Sequence, residues 1–160
     1  MTMTDHADID EQFMSAAVEQ AELARRLDDV PIGAVVVRGG SVIAAAHNRR
    51  IIDRDPTAHA ELLAIRAAAA AVGDWRLIGC SLYVTLEPCC MCAGAIVLAR
   101  IDRLVYGAAD PKAGAVDTLY GLCTDSRLNH RVDVTRGTLS ERCSQILTAF
   151  FQAQRAMGKK

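Results

Sequence analysis

Two short stretches of this chain carry residues whose types and spacing can do chemistry. In Thr57-Ala58-His59-Ala60-Glu61 an imidazole and a carboxylate stand two residues apart, where a run of helix-forming residues begins. In Glu87-Pro88-Cys89-Cys90-Met91-Cys92 two thiols, Cys89 and Cys92, stand three residues apart before another apolar run. Three apart at the start of a helix means one face of the first turn, so both sulfurs can reach one ion. A helix N-terminus also favours thiolate over thiol. His59 at a second helix mouth would add one nitrogen to the two sulfurs, a donor set suited to zinc. Three protein ligands leave a fourth position open, the pattern of a catalytic rather than a structural zinc, with a water there of pKa about 7. Glu61 lies next to a ligand without being needed as one, and is placed to pass protons between that water and a departing nitrogen.

Each piece alone has an ordinary explanation. Polar residues gather at helix starts for capping and dipole reasons, and an isolated Cys-x-x-Cys is often a redox or buried structural pair. The combination is far more specific: His-x-Glu, 26 intervening residues, then Pro-Cys-x-x-Cys. It matches the signature of the zinc nucleobase deaminases, in which the glutamate is the general acid and base. Cys90 occupies the variable position, off the face shared by Cys89 and Cys92, and is expected to be a small buried residue. Cys80, Cys123 and Cys143 are scattered and expected to pack.

The surrounding pattern supplies elements to hold these groups. Phe13, Ala17, Ala21, Ala24 and Leu27 recur with helical spacing over residues 10–28, so the first element is a helix and residues 1–9 are expected to form a flexible tail. IGAVVVRGGSVIAAAHN reads as a hairpin about Gly39-Gly40. Thr57 is expected to cap a helix over 61–72 that Gly73 ends. SLYVTL (81–86), CMCAGAIVLAR (90–100) and DRLVYGA (102–108) read as strand, helix and strand, hence a parallel crossover. A long connection from Pro111 to Asn129 leads to RVDVT as a fifth strand. Thr138 and Glu141 then form a capping box opening a last helix. The expected architecture is α/β: a three-layer domain with a five-stranded mixed sheet, all 160 residues in one domain.

Composition narrows the function. A formal net charge of −1 excludes recognition of nucleic acid by bulk positive charge, so any such contact must be local. The first twenty residues carry Asp5, Asp8, Asp10 and Glu11 and no apolar run of signal length, and no stretch is long and apolar enough to span a bilayer. A soluble cytoplasmic protein is therefore expected. In such a chain, crowded cysteines favour metal over cystine.

Through VPIGAVVV, HNR, DPTAHAE, TLEPCCMCAGAI, LVYGAADPKAG, LNHRV and the terminal FF, the chain resembles the bacterial tRNA-specific adenosine deaminases of the cytidine-deaminase-like superfamily, over about residues 12–156. The resemblance implies one zinc per chain, hydrolytic deamination of the first anticodon adenosine of tRNA to inosine, an anticodon stem-loop as partner, and a homodimer with active sites near the interface. It also implies that Asn48 holds a base edge, that residues around Glu87 form the pocket wall, and that Asp110 lies near the ribose. On the same ground Phe151 and Arg155 belong to a C-terminal helix approaching flanking nucleotides. A small-molecule deaminase for guanine, cytosine or cytidine would share the zinc motif. A non-catalytic zinc scaffold would not need Glu61.

Overall fold

The computed structural model describes residues 3–159. Its central sheet has five strands in the order β2-β1-β3-β4-β5. β1 (Gly33–Arg38) pairs antiparallel with β2 (Ser41–His47) and with β3 (Cys80–Leu86), whereas β4 (Arg103–Ala108) lies parallel to β3 and to β5 (Asp133–Arg136). The sheet is mixed, as expected, and the β3–helix–β4 crossover is parallel.

The inner strands are buried on both faces, and their period-2 alternation sorts residues into two cores. Val36, Leu82, Val84 and Leu104 face one side, where they meet Ala64 and Ala68 of α3 (Ala60–Val72) and Ala93 and Ile96 of α4 (Cys90–Leu98). Val35, Tyr83 and Val105 face the other, against Phe13, Met14 and Ala17 of α1 (Met3–Arg26) and Cys143 of α5 (Ser140–Ala156). Helices on both faces make the three layers. Alanines line the inner face of α1 because the sheet comes very close: a Cβ on Gly33 would collide with the backbone of Ala17 and Ala21.

Several local expectations are corrected. α1 already runs from Met3, so residues 3–9 are helical and not a tail; residues 1 and 2 lie outside the described residues. The reason is packing at its first half: Ile9 rests on the second core, and Asp10, only 5% exposed, accepts two 2.7 Å bonds from the Arg103 guanidinium and one of 2.9 Å from the Tyr83 hydroxyl. Leu27 falls beyond the helix and is exposed. Thr57 does not cap α3; its hydroxyl bonds Asp55 and the N-cap position belongs to His59. The capping box before α5 does not form either, because Leu139 takes the N-cap position with left-handed backbone, φ 52°, and no side-chain cap bond. The short helix α2 (Arg50–Asp53) and a 3₁₀ turn (Leu122–Thr124) carry too little periodicity to be read from sequence.

Asp10 ties α1 to the middle of the sheet across 93 residues of sequence. Asp10→Ala should leave the buried Tyr83 hydroxyl without its partner and Arg103 with only Thr135 and Asp133, costing about 2 kcal/mol. Urea unfolding of the variant beside the parent measures it, and an unchanged midpoint would show that α1 is held by its apolar face alone.

Candidate metal and catalytic centre

Two helices begin at the same place. α3 follows the hairpin and α4 follows β3, and the antiparallel pairing of β1 with both β2 and β3 puts the C-terminal ends of β2 and β3 at the same edge of the sheet, on either side of β1. The N-cap residues of these helices are His59 and Cys89, both with extended backbone, and neither side chain caps its own helix. Their functional atoms point towards one another. His59 Nδ1 lies 3.7 Å from Cys89 Sγ and 3.5 Å from Cys92 Sγ, and all three donor atoms lie within 4.8 Å of each other. Bond lengths of about 2.1 Å to nitrogen and 2.3 Å to sulfur put N and S at adjacent corners of a zinc tetrahedron roughly 3.6 Å apart. The three residues therefore already have the spacing a tetrahedral ion requires.

Charge states agree. The hydrogen bond from the Cys92 thiol, then the one from His59, holds Cys89 as a thiolate with its pKa lowered to about 3. Cys92 is pushed the other way by that same Cys89 partner and by burial. His59 is raised, chiefly by its bond to Cys89. Without a cation the cluster shares one proton between two sulfurs; a divalent ion among them supplies the charge that lets both ionise.

Glu61, in the first turn of α3, is 4% exposed, and burial raises its pKa to about 7. It lines a cleft of about 190 Å³ with His59, Cys89, Ile32, Asn48 and Glu87, with Arg50, Asp110 and Ala113 also in its wall. That is below the ~300 Å³ of a drug-sized site, room for a single ring system with its substituents outside.

Of the residues singled out in the sequence, the structure brings together His59, Glu61, Cys89 and Cys92, with Asn48 and Asp110 on the same cleft. Asn48 is 2% exposed, and its Nδ2 donates to Asp29 at 2.9 Å. The Asp110 carboxylate accepts from the N–H groups of Lys112 and Ala113, a turn-stabilising use. Phe151 and Arg155 lie outside the metal cleft. Phe151 joins Asp110, Leu86 and Lys112 around a neighbouring cleft of about 410 Å³. Arg155 joins Phe151, Arg50 and Lys159 around a third of about 310 Å³. Phe150 is core. Cys90 is corrected: it is exposed, since the face of α4 opposite the ligands looks outward. Cys80, Cys123 and Cys143 are buried as expected.

Two acidic residues do more than their sequence positions announce. Glu87, 2% exposed, accepts from the N–H groups of Asp110, Val116, Asp117 and Thr118 and from the Thr118 hydroxyl. Burial works against its charge, but these bonds outweigh it and its pKa falls below the ordinary value. Asp29, fully buried, accepts from Asn48 and from the N–H groups of Val30, Ile51 and Ile52. A carboxylate flanking an apolar strand was the signal for either, joined for Glu87 by the resemblance that places its neighbourhood in the pocket wall.

The MafB19-like deaminase family matches residues 8–155. The tRNA-specific adenosine deaminase of Bacillus subtilis (strain 168) is 49% identical over 150 residues, covering 94% of this chain and 93% of that protein. The chain belongs to the tRNA-specific adenosine deaminase family. A solved structure from work on A-to-I editing by tRNA:A34 deaminases superposes with a TM-score of 0.82 at 48% identity, covering 85% of this chain and 99% of that one. The guanine deaminase from Nitrosomonas europaea shares the fold at a TM-score of 0.75 but only 27% identity, over 88% of this chain and 83% of its own. The three-layer fold read from the sequence is thus that of this deaminase family.

Cys89→Ser and Cys92→Ser should each lose bound metal on purification, whereas Cys90→Ala should keep it, because only the first two face His59. Elemental analysis of the three proteins checks this; full metal in both serine variants would break the ligand assignment.

Proposed function

We infer that this chain hydrolytically deaminates the adenosine at the first anticodon position of tRNA to inosine, with a zinc ion held by His59 Nδ1, Cys89 Sγ and Cys92 Sγ. The observation that carries the reading is the buried carboxylate of Glu61 on a base-sized cleft beside that donor set, in a chain nearly half identical to a tRNA-specific adenosine deaminase. When bound, zinc supplies the Lewis acidity that brings a coordinated water to a pKa of about 7.

The rest of the chemistry falls to this chain's side chains. Water adds its oxygen to C6 of adenine, and the amino group leaves as ammonia. Glu61 takes a proton from the attacking water, places it on the ring, and then delivers a proton to the departing nitrogen. Burial brings its pKa near neutrality, where a carboxyl both accepts and donates readily; a cation on the adjacent ligands draws it towards the ionised form, which suits the first of these steps. Asn48 meets the edge of the base. Asp110, at the rim shared with the 410 Å³ cleft, lies towards the ribose.

A base stacked in a duplex cannot enter so narrow a cleft, so the target must be unpaired or flipped, and a loop offers that at least cost. The metal cleft shares Asp110 and Leu86 with the cleft of Phe151, and Arg50 with the cleft of Arg155 and Lys159. These joined grooves support binding of an anticodon stem-loop, with the neighbouring nucleotides against α5. We further propose a cytoplasmic homodimer. The outer face of α4 supports it: Leu98 is 69% exposed, Cys90 is exposed, and Gly94 between them leaves open space for a close neighbour. No helix of the described residues is long and apolar enough to cross a membrane.

Glu61→Ala should retain fold and metal and lose at least the ~10²-fold of a missing general acid and base; near-parental turnover would revive a scaffold role. For substrate, inosine formation on an anticodon stem-loop should far exceed turnover of free adenosine, guanine, cytosine or cytidine under one condition. Faster turnover of free guanine or cytosine would move the chain to the small-molecule branch. Sedimentation at micromolar concentration should show a dimer, not only the 17.2 kDa chain.

A further inference from the structure

Asp29 is a charged side chain with 0% exposure, in the turn between α1 and β1, and the deamination steps above make no use of it. Its carboxylate is nonetheless fully employed. Oδ2 accepts from Ile51 N at 2.9 Å and Ile52 N at 3.2 Å, the otherwise unsatisfied N–H groups opening α2, whose own N-cap residue Arg49 supplies no side-chain cap bond. Oδ1 accepts from its neighbour Val30 N at 2.8 Å and from Asn48 Nδ2 at 2.9 Å.

The last bond decides the polarity of the cleft. An ionised carboxylate only accepts, so the amide of Asn48 must turn its nitrogen to Asp29. Its oxygen then points elsewhere. Among the described residues no protein donor bonds that oxygen, and no sealed side-chain nitrogen or oxygen lacks a partner. Since Asn48 lines the metal cleft, Oδ1 meets the cleft itself. The main chain at Asn48 is pinned as well: its N–H donates to Ile32 O at 2.9 Å and its carbonyl oxygen lies 3.0 Å from His47 Nδ1. Only the amide's orientation is left to choose, and Asp29 chooses it.

We propose that Asp29 is a positioning residue for substrate recognition: it locks the Asn48 amide so that the cleft presents a hydrogen-bond acceptor, and thereby selects a base or ribose group that brings an N–H or O–H to that point. This deepens the deaminase reading above, and rests on it for the identity of the substrate. Asp29→Asn removes the lock without removing a side chain. The new amide keeps one oxygen, which stays on the two α2 N–H groups at the Oδ2 place; its NH₂ then takes the Oδ1 place, facing Asn48 and the Val30 N–H. Two NH₂ groups cannot face each other, so Asn48 rotates and offers donors to the cleft.

Three measurements test this. In the wild-type protein, nuclear Overhauser contacts from the Asn48 Nδ2 hydrogens to the Val30 N–H are expected, and their absence overturns the proposal without any variant having to fold. In kinetics on the stem-loop, Asp29→Asn should raise KM about tenfold, the scale of one misdirected hydrogen bond in a base site, with metal content unchanged and kcat within about threefold. Asp29→Glu, still acceptor-only, should remove most of the KM defect. The decisive comparison is in an Asn48→Ala background, where Asp29→Asn should add less than about twofold because the residue it acts through is gone. An equal loss in both backgrounds would show that Asp29 works only by holding α2, and would overturn the proposal. Should the wild type instead turn over a free base, the substrate assignment fails, and the same cycle run on that base still decides the role of Asp29.

Discussion

The site depends on one constraint: two helix N-termini must meet within the reach of a single ion. An N-cap residue ordinarily turns its side chain back to satisfy its own helix. His59 and Cys89 forgo this, and α3 and α4 begin with no side-chain cap. What replaces the caps is tertiary. The apolar faces of both helices are packed on β1 to β4, with Ala60, Ala64, Ala68, Ala93 and Ile96 fully buried where the first turns must be held still. Burial at ~25 cal/mol per Å² of apolar surface makes such packing a larger contribution than a cap of ~1 kcal/mol, so the fold can spend both N-cap positions on ligands.

The two N-termini also set the electrostatics. Each presents unsatisfied N–H groups and the positive end of a dipole to the same point, which suits thiolates and a carboxylate and would repel a bare cation. The ligands therefore have to carry the negative charge. Cys89 already does so, while Cys92 and Glu61, both more deeply buried, are held towards their neutral forms. An anionic ligand set that is only partly ionised until a cation arrives couples metal uptake to proton release.

Legibility in the sequence followed the physics of each feature. The five strands and long helices were readable because period-2 and period-3.6 patterns of Val, Ile, Leu and Ala are long enough to be unambiguous. The cluster of His59, Cys89 and Cys92, which could hold a metal ion, was readable because the spacing within each helix turn is local and the pairing of the two stretches matches a known signature. Helix starts were not. Thr57 and Thr138 had the right type for capping, but tertiary placement moved the caps to His59 and Leu139. Residues 3–9 precede the apolar periodicity that marks the helix from residue 10, so the pattern alone leaves them out of α1. What pulls Asp10 inside is Arg103 on β4, and nothing near Asp10 in sequence reveals that partner. Cys90 was misjudged for a related reason: the outward face of α4 carries Leu98 as well, so apolar content did not mark its buried side.

Glu87 and Asp29 were the least legible residues, and they share a device. Each is a buried carboxylate that accepts from backbone N–H groups gathered from a loop and, among the described residues, accepts no bond from an arginine or lysine. Glu87 gathers the N–H groups of 110 and 116–118, and the approach is so close that a Cβ on Gly114 would collide with its carboxylate. Asp29 gathers those of 30, 51 and 52. Between them they fasten two segments that line the cleft, one carrying Asp110 and Ala113, the other Asn48 and Arg50. Backbone N–H groups cannot titrate, and the bonds they give Glu87 favour its ionised form. In a chain of net charge −1, specificity for a loop of RNA then rests on wall geometry more than on phosphate attraction, and the carboxylates that add to that negative charge are the ones that build the walls.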